Sequence, residues 1–476
     1  MAFQLSPGVN VSEIDLTTIV PSVATSIGGI AGNFNWGPVG EVVTISDEVR
    51  LVSRFGKPDS TNYEYWFSAA NFLAYSNNLK VVRAANTTST LNATANGSGV
   101  LIKNQDDYTA NRESATNTSY GPWSAKYAGA LGNTLRVSIC PSSQAYSANL
   151  TSTDSLRANA LNYLTDSTTV LNVNGNANAA ANVTAGDLIS VDGGSTYVRV
   201  ASINATAVTV ATAFTSNVAV GTPILRKWQY ASEFGVAPGT SSYATGVGGT
   251  NDECHVIVID EDGKFTGTAN TVLEKFAFVS KASDAKKSDG TNNYYKDVIN
   301  SRSEYIYWMD HPTAGTDWGT QAAGNAFDTI GTAVTRSLSG GVDDLTATDG
   351  QLQSAYALFA DDTQYDISLV PLGNVSATVA NYVIGIAESR LDCVVFASAN
   401  SNGQPIIGSG SAATDAIVAY RNALPSTSYA VLDSGFKYQY DRYNDKYRWV
   451  PLNGDTAGLC ARTRSEEHTS EPSHGY

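Results

Sequence analysis

The residues whose types and spacing could do chemistry begin with a glycine-rich stretch, "IGGIAGNFNWGP" (27–38). A dinucleotide-binding turn needs Gly-x-Gly-x-x-Gly after a strand, and a P-loop needs a lysine after its last glycine. Here the glycines stand at positions 28, 29, 32 and 37, and no such lysine follows. Since glycine most often serves backbone geometry, we predict that these glycines form close turns and bind no cofactor.

An acidic cluster, Asp260 to Asp262, precedes Gly263 and could suggest calcium. An EF-hand loop needs further oxygen ligands and a distal glutamate at fixed positions, which are missing, so an Asp-Gly turn is the stronger interpretation. No Gly-x-Ser-x-Gly elbow is present. The histidines stand outside any metal or triad motif, at His255, His311, His468 and His474. The sequence predicts no metal and no catalytic residue, although two carboxylates far apart in the chain could still serve a hydrolase.

The net charge, the apolar runs and the cysteines narrow the possible classes of function further. The net charge of −15 disfavours non-specific binding to nucleic acid or to anionic membranes, so we predict no nucleic-acid partner. No apolar run approaches the ~18 residues that span a bilayer, which predicts no direct membrane insertion. The cysteines lack metal-ligand or redox spacing, and their apolar neighbours predict buried thiols at Cys140, Cys254, Cys393 and Cys460.

The pattern of elements that must position any such residues is α/β. From Val23 to Arg83 we predict two strands, two helices and a third strand, with Ser46 capping the first helix. "HVIVID" (255–260) predicts a strand and "TVLEKFAFVS" (271–280) a helix. Apolar strands in "DISLVP", "LDCVVFAS" and "SYAVLD" then alternate with helices at 350–360, 375–388 and 412–423. We therefore predict parallel or mixed sheets flanked by helices.

Two stretches depart from this α/β pattern. Residues 167–225 hold three charges and a hairpin signal, Asp192-Gly193-Gly194, which predict a small inserted all-β module. Residues 436–451 alternate aromatic and polar side chains around Asn444-Asp445, which predicts a two-residue hairpin. Its aromatics could stack bases or sugars, or they could simply cover one face of a sheet.

The predicted organisation starts with an extended N-terminal arm. Residues 3–16 alternate weakly around Pro7-Gly8 and could pair outside their own domain through Phe3, Leu5, Val9, Val11 and Ile14. The predicted segments are the arm (1–20), the first part of an α/β domain (21–140, with a polar loop insertion at 86–120), an inserted β-rich module (141–231), the remainder of the first α/β domain (232–345), a second α/β domain (346–463) and an aberrant disordered tail (464–476).

Eight segments occur in an order that is specific although each is weak alone. They are "LSPGVNVSEID" (5–15), "IGGIAGNFNWGP" (27–38), "RFGKP" (54–58), "FLAYSNNLKVVRAAN" (72–86), "KYAGALGN" (126–133), "LSGG" (338–341), "ESRLDCVVFAS" (388–398) and "KYQYDRYNDKYRWVPLNGDTAGLCART" (437–463). Together they resemble the tail sheath protein of contractile-tailed, myovirus-type bacteriophages over residues 1 to about 463.

The resemblance implies a structural subunit and no enzyme. Members of this family polymerise helically around a tail tube and contract to drive the tube through the host envelope. The implied partners are other sheath subunits, the tail tube protein, and the baseplate and tail terminator proteins. The implied location is the virion tail, assembled in the host bacterial cytoplasm. The arm then joins neighbouring subunits, and Trp36 becomes a packing anchor.

The chain departs from the family after "GLCART". Residues 464–476 match nothing in the family, so we expect a C-terminally truncated sheath protein whose second α/β domain is incomplete. Three alternatives stay open at this point. One is the sheath of a related contractile injection system, another is an α/β carbohydrate-active hydrolase, and the third is a host-binding adhesin that displays the β-rich module.

Overall fold

The computed structural model describes residues 26–115, 117–150, 170–172, 183–204, 207–214, 223–312, 317–344 and 346–467. The predicted arm, with its five apolar residues, lies outside this range, as do residues 468–476. The strands are β1 Gly28–Asn33, β2 Val42–Ile45, β3 Leu79–Ala84, β4 Trp123–Ala125, β5 Leu135–Cys140, β6 Ser147–Leu150, β7 Val170–Asn172, β8 Leu188–Ser190, β9 Val198–Ile203, β10 Ala207–Val210, β11 Ile224–Lys227, β12 Glu253–Asp260, β13 Thr271–Ser280, β14 Ile306–Trp308, β15 Val334–Ser337, β16 Leu369–Pro371, β17 Val394–Ser398, β18 Asn400–Ser401, β19 Gln404–Pro405, β20 Ala430–Asp433, β21 Phe436–Asp441 and β22 Lys446–Pro451. The α-helices are α1 Glu48–Phe55, α2 Tyr63–Leu73, α3 Gln105–Asn111, α4 Ser143–Tyr146, α5 Ser242–Gly246, α6 Tyr295–Arg302, α7 Asp349–Tyr356, α8 Ala377–Arg390, α9 Ser411–Asn422 and α10 Asn453–Glu467.

A mostly parallel sheet of six strands, the parallel sheet below, has the order β2-β3-β1-β16-β17-β20. Only β2, at one edge, runs antiparallel to its neighbour. Helices α7 and α8 cover one face, and α1, α2 and α10 cover the other, so both faces are buried as α/β sheets require. The sheet takes strands from both 21–140 and 346–463, where two separate α/β domains were predicted. The division of the chain into domains stays a prediction.

The glycines of the opening stretch lie mainly inside a strand, and the prediction of close turns is wrong for three of the four. Gly28, Gly29 and Gly32 belong to β1, which is buried throughout. A Cβ atom added at Gly28 would lie 2.6 Å from the ring of Phe72, and one at Gly32 would lie 2.6 Å from Tyr65. Glycine is therefore needed because α2 packs directly on the strand. Only Gly37, with φ of +98°, turns the chain.

A second body is built on an antiparallel sheet of order β13-β12-β5-β15. The helix predicted at 271–280 is wrong, because this segment is strand β13 and pairs antiparallel with β12. Its apolar spacing, with Leu273 and Phe276 three residues apart, imitates a helix. Two register shifts in the pairing with β12 disturb the strict alternation that would mark a strand. Tertiary pairing therefore overrides the local pattern.

A separate six-stranded sheet, the antiparallel sheet below, has the order β6-β11-β8-β9-β10-β7. Its apolar side chains form a cluster of their own, which includes Ile189, Val200, Val208 and Ile224. The hairpin signal at 192–194 joins β8 to β9 as predicted. The alternation of inward apolar and outward polar side chains along these strands is typical of an antiparallel sheet with one solvated face.

Element ends differ from the predictions in three places. Asp47, and not Ser46, caps α1, because its side chain accepts a hydrogen bond from the backbone N–H of Arg50. The polar stretch 86–120 contains helix α3. Helix α10 continues to Glu467, into the segment predicted to be a disordered tail.

Candidate assembly site

The acidic cluster at 260–262 is a structural turn. Asp260 is fully buried, and its Oδ2 accepts hydrogen bonds from the backbone N–H groups of Phe265 (3.0 Å) and Thr266 (2.8 Å). Its Oδ1 accepts a hydrogen bond from the Thr134 hydroxyl at 2.8 Å. Glu261 is paired with Arg136. The carboxylates of Asp260 and Glu261 are thus engaged by the protein itself. This agrees with the predicted turn.

The two histidines within the described range sit in aromatic packing. The His255 ring stacks on Phe234 with centroids 4.4 Å apart, and burial lowers its pKa. Its Nδ1 accepts a hydrogen bond from the backbone N–H of Phe278 at 3.1 Å. The Nδ1 of His311 lies 2.6 Å from the Tyr295 hydroxyl, and burial lowers the pKa of this histidine too. His468 and His474 lie outside the described residues.

Three of the four cysteines are buried thiols, as predicted. Burial raises the pKa of Cys140 to about 12 and that of Cys393 to about 11, so neither is poised for nucleophilic chemistry. The prediction is wrong for Cys460, which is exposed on α10. Throughout the described ranges, no group of three or more His, Cys, Asp or Glu side chains is placed to hold a metal ion. None of the described helices is long and apolar enough to cross a bilayer.

The most heavily constrained charge of the parallel sheet is Arg83, at the end of β3. Its side chain is fully buried, and its Nη1 donates to the carbonyl oxygens of Gly37 (2.9 Å) and Ala128 (2.8 Å). Its Nη2 lies 3.6 Å from Oδ1 of Asp343. Burial lowers the pKa of Arg83 to about 10, and the attraction of Asp343 opposes this shift. One guanidinium therefore ties together three chain segments that are far apart in sequence.

Aromatic packing on Trp36, the neighbour of Gly37 in the chain, joins the parallel sheet to the second body. Trp36 is buried, with the rings of Tyr127 (5.2 Å) and Phe265 (5.1 Å) meeting it edge-on. Asn133 and Gly341 exchange two hydrogen bonds, of 2.9 and 2.8 Å. We call this contact region, which comprises residues 35–37, 83, 126–133 and 338–343, the arginine junction.

Five of the eight motif segments meet at or beside the arginine junction. Trp36 and Gly37 come from the first, Arg83 from "FLAYSNNLKVVRAAN", and Asn133 and Gly341 from two others. Gly56, in "RFGKP", accepts a hydrogen bond from the indole of Trp66 at 2.9 Å. The residues of these motifs therefore make contacts that hold the parallel sheet and the second body together. Sequence reasoning missed Arg83, and the only signal for it was a charged residue at the end of an apolar run.

A second feature is the hairpin formed by β21 and β22. Charged side chains are among its buried residues, and aromatic side chains are among its exposed ones. The loop between β21 and β22 contains the four residues 442–445, so the predicted two-residue turn is wrong. On the inner face Arg448 Nε donates to Asp441 Oδ2 at 2.7 Å, with Asp441 fully buried. Lys437 is paired with Asp455 on the same face. Asp441, Arg448 and Lys437 thus point towards the protein, whereas the charged residues in and beside the loop are exposed.

The outer face of this hairpin carries the aromatic residues Tyr438, Tyr440, Tyr447 and Trp449, which we call the aromatic face. Tyr438 lies 5.1 Å from Tyr447 and 5.0 Å from Trp449, measured between ring centroids. Tyr438 is 59% exposed and Tyr447 is 58% exposed. The aromatics do cover one face of a small sheet, but that face points to solvent.

Comparison with known proteins agrees with a structural role for these motifs. Residues 25–84 match the family described as "Tail sheath protein Gp18 domain III N-terminal region". The tail sheath protein of Enterobacteria phage T4 is 28% identical over 99% of this chain and 74% of its own length. This chain is related to phage tail sheath proteins. Those of Salmonella phage ViI (27% identity, 97% of this chain, 70% of its own length) and Vibrio phage KVP40 (26%, 98% and 74%) match it as well.

The similarity supports a structural role as a sheath subunit. Two solved sheath tail proteins also match, from Listeria innocua (9% identity, TM-score 0.40, 92% of this chain) and Desulfitobacterium hafniense (9%, 0.39, 96%). This chain spans 56% and 62% of their chains, respectively. TM-scores this low add nothing to the sequence relationship.

Proposed function

We propose that this sheath subunit polymerises helically around a phage tail tube and contracts to drive the tube through the host envelope. The observation that supports the proposal most directly is the arginine junction, where most of the motifs shared with sheath proteins come together. The buried hydrogen bonds of Arg83 and the packing of Trp36 make this part of the subunit rigid. A subunit that transmits force between neighbours needs such a rigid core.

The proposed partners are other sheath subunits, the tail tube protein, and the baseplate and tail terminator proteins. The proposed location is the virion tail, after assembly in the host bacterial cytoplasm. Neither nucleic acid nor membrane is a proposed partner, because the net charge of −15 repels both phosphate backbones and anionic lipids. We also propose that the subunit has no enzymatic activity and carries no cofactor, since Asp260, His255 and His311 are engaged in structural contacts.

Neighbouring subunits are proposed to be joined by the N-terminal arm through Phe3, Leu5, Val9, Val11 and Ile14. An extended segment that adds a strand to the edge of a neighbour's sheet contributes backbone hydrogen bonds and keeps subunits connected while they rotate. Head-to-tail contacts of this kind propagate as helices. Contraction then requires two packings of different free energy. A coupling free energy of ~1–3 kcal/mol per contact between subunits becomes a large mechanical output when it is summed over many copies.

Assembly on preformed tail tubes tests this function. The chain is mixed with purified tubes, and negative-stain electron microscopy is used to look for sleeves with a regular repeat. Leu5→Asp and Val9→Asp place charges on the apolar side of the arm and are expected to abolish sleeves. The matched controls Gln4→Asp and Asn10→Asp place the same charge on the other side and should assemble. Tubes that stay bare with the unaltered chain would contradict the proposal.

A further inference from the structure

A cavity of about 540 Å³ lies at the carboxyl end of the parallel sheet. Its lining includes Asn374, which follows β16, and Asn400, which follows β17. Tyr65 of α2 closes the cavity towards β1, and a Cβ atom added at Gly373 would lie 2.8 Å from its ring. Since β3 and β16 lie on opposite sides of β1, the order of the strands reverses here. Open α/β sheets bind ligands at this point of their topology.

The floor of the cavity consists of three polar side chains that are more than nine-tenths buried, Tyr65, Asn374 and Tyr420. The Tyr65 hydroxyl donates to the carbonyl oxygen of Asn374 at 2.8 Å. The Tyr420 hydroxyl donates to the carbonyl oxygen of Val375 at 3.1 Å. The Asn374 Nδ2 donates to the carbonyl oxygen of Gly403 at 2.7 Å, whereas its Oδ1 has no hydrogen-bond partner among the described residues. With both hydroxyl protons engaged, the tyrosine oxygens and this Oδ1 can only accept hydrogen bonds from a ligand.

The charge around the cavity is negative. Asp349 is an exposed residue of the lining, and none of the described lining residues is a lysine, an arginine or a histidine. The Asp349 Oδ2 accepts a hydrogen bond from the hydroxyl of Ser376 at 2.7 Å, where it also offsets the partial positive charge at the start of α8. Burial is the main cause of the raised pKa of Tyr65, and the charges of Glu64 and Asp349 raise it further. A potential that opposes a phenolate at the floor favours a cation there.

The remaining wall is apolar and is built from small side chains. Ala416, Ala419 and Ala423 are three to four residues apart, so they lie on one side of α9. Ala377, the first residue of α8, also lines the cavity. Alanine at these positions leaves room for a straight hydrocarbon chain, and burial of its methylene groups favours binding.

We propose that this cavity binds a primary alkylammonium group, with the ammonium at Tyr65, Asn374 and Tyr420 and the hydrocarbon chain against the alanines. An ammonium has three N–H donors and no acceptor, which complements a floor of acceptor atoms. The faces of the two tyrosine rings attract a cation as well. Two sources carry such a group, a free aliphatic amine and a lysine side chain of a second copy of this chain. The site does not rest on the proposed function, because a single subunit contains all of it.

A ligand-observed NMR titration of the unassembled full chain with pentylamine tests this site. Pentanol and pentanoate are matched controls, in which a hydroxyl or a carboxylate replaces the ammonium group. We expect pentylamine to bind about tenfold more tightly than pentanol, and we expect no binding of pentanoate. Equal affinities for pentylamine and pentanol, or no binding of pentylamine, would overturn the proposal.

Two leucine substitutions on α9 separate the cavity from the rest of the acidic surface. Ala419→Leu fills the cavity from its wall, whereas Thr414→Leu adds a leucine at an exposed position of the same helix outside the lining. We expect Ala419→Leu to weaken pentylamine binding about tenfold and Thr414→Leu to leave it unchanged. Asp349→Asn, which adds no bulk, should weaken the binding of pentylamine severalfold and leave that of pentanol unchanged. Equal affinities of all these variants for pentylamine would show adsorption to the acidic surface only and would overturn the site.

Self-association of the unaltered chain, measured by sedimentation velocity, distinguishes the two sources. If a lysine of a second copy fills the cavity, pentylamine and Ala419→Leu should both lower the fraction of associated chains. If the source is a free amine, neither should change that fraction. Because the titrations use unassembled protein, their failure leaves sleeve formation on tail tubes untouched, and bare tubes would leave the cavity site untouched.

Discussion

Two buried arginines, Arg83 and Arg226, each join a six-stranded sheet to the second body, but they do so differently. Arg83 donates to the carbonyls of Gly37 and Ala128 and lies 3.6 Å from Asp343. Arg226, on β11, donates to the carbonyl of Gln144 and lies 3.9 Å from Asp187. In both, the Nε atom has no hydrogen-bond partner in the described structure.

The difference lies in which chain segments each arginine gathers. The arginine junction holds segments around positions 37, 83, 128 and 343, so the parallel sheet cannot separate from the second body without losing long-range contacts. Arg226 lies near the base of the antiparallel sheet, between the chain that enters at β6 and the chain that leaves at β11. We infer that the first junction supports the whole subunit, while the second supports only its own sheet.

The largest effect is expected from Arg83→Met. The substitution leaves the half-buried Asp343 without its cation. It also leaves two carbonyl groups without their donor, and together these losses should cost about 3–5 kcal/mol of unfolding free energy. Urea denaturation of the whole chain measures this loss. Arg54→Met is the matched control, since the Arg54–Glu304 pair is partly exposed and is worth about 0.2–1 kcal/mol. Equal losses of unfolding free energy for the two substitutions would show that Arg83 contributes no more than a partly exposed ion pair.

Trp36→Ala tests the packing part of the same junction. Removing a fully buried indole that contacts Tyr127 and Phe265 should cost about 3–5 kcal/mol and lower the melting temperature of the chain. Differential scanning calorimetry measures this change. A melting temperature equal to that of the unaltered chain would show that Trp36 is not a packing anchor.

Arg226→Met is expected to act locally. Leaving Asp187 without its partner should destabilise the antiparallel sheet by about 1–3 kcal/mol. Hydrogen exchange should become faster in β8 and β9, while β1 and β16 keep their protection. Faster exchange in β1 would mean that both junctions support the whole subunit, and the contrast between them would then be lost.

The smallest expected effect is a pH dependence that comes from Asp187. Burial raises its pKa from 3.8 to about 6, and the charge of Arg226 opposes the shift. The native state therefore binds this proton more tightly than the unfolded state does. The resulting stability is present below about pH 4 and is lost as the pH rises through about 6. Asp187→Asn should flatten this part of the pH profile in β8 and β9, as measured by hydrogen exchange. An unchanged profile would contradict the assignment.

The sequence predicted local structure well where one segment decides it. The strand at 255–260, the helices that became α7, α8 and α9, and the hairpin at 192–194 are confirmed. It could not predict that β1 pairs with β16, because Gly28 and Leu369 meet only through tertiary folding. The segment 271–280 was misread because a disturbed strand imitates helical spacing. The glycines of β1 were misread because the reason for them is the close approach of α2.

The candidate site was less predictable than the fold class. The ordered motifs led to the sheath family, but they did not reveal that their residues converge on Arg83. The hairpin at 436–451 was recognised, yet its outward aromatics and inward ion pair depend on α2 and α10, which pack against its inner face. Which face of a two-stranded sheet is buried is decided by the rest of the molecule.

Electron cryomicroscopy of tail tubes incubated with this chain tests the central claim most directly. The account predicts a helical sleeve in which each repeat contains the parallel sheet and the second body joined at the arginine junction, as described for the isolated subunit. Bare tubes, or a sleeve whose repeats show the two bodies separated at Arg83, would contradict it.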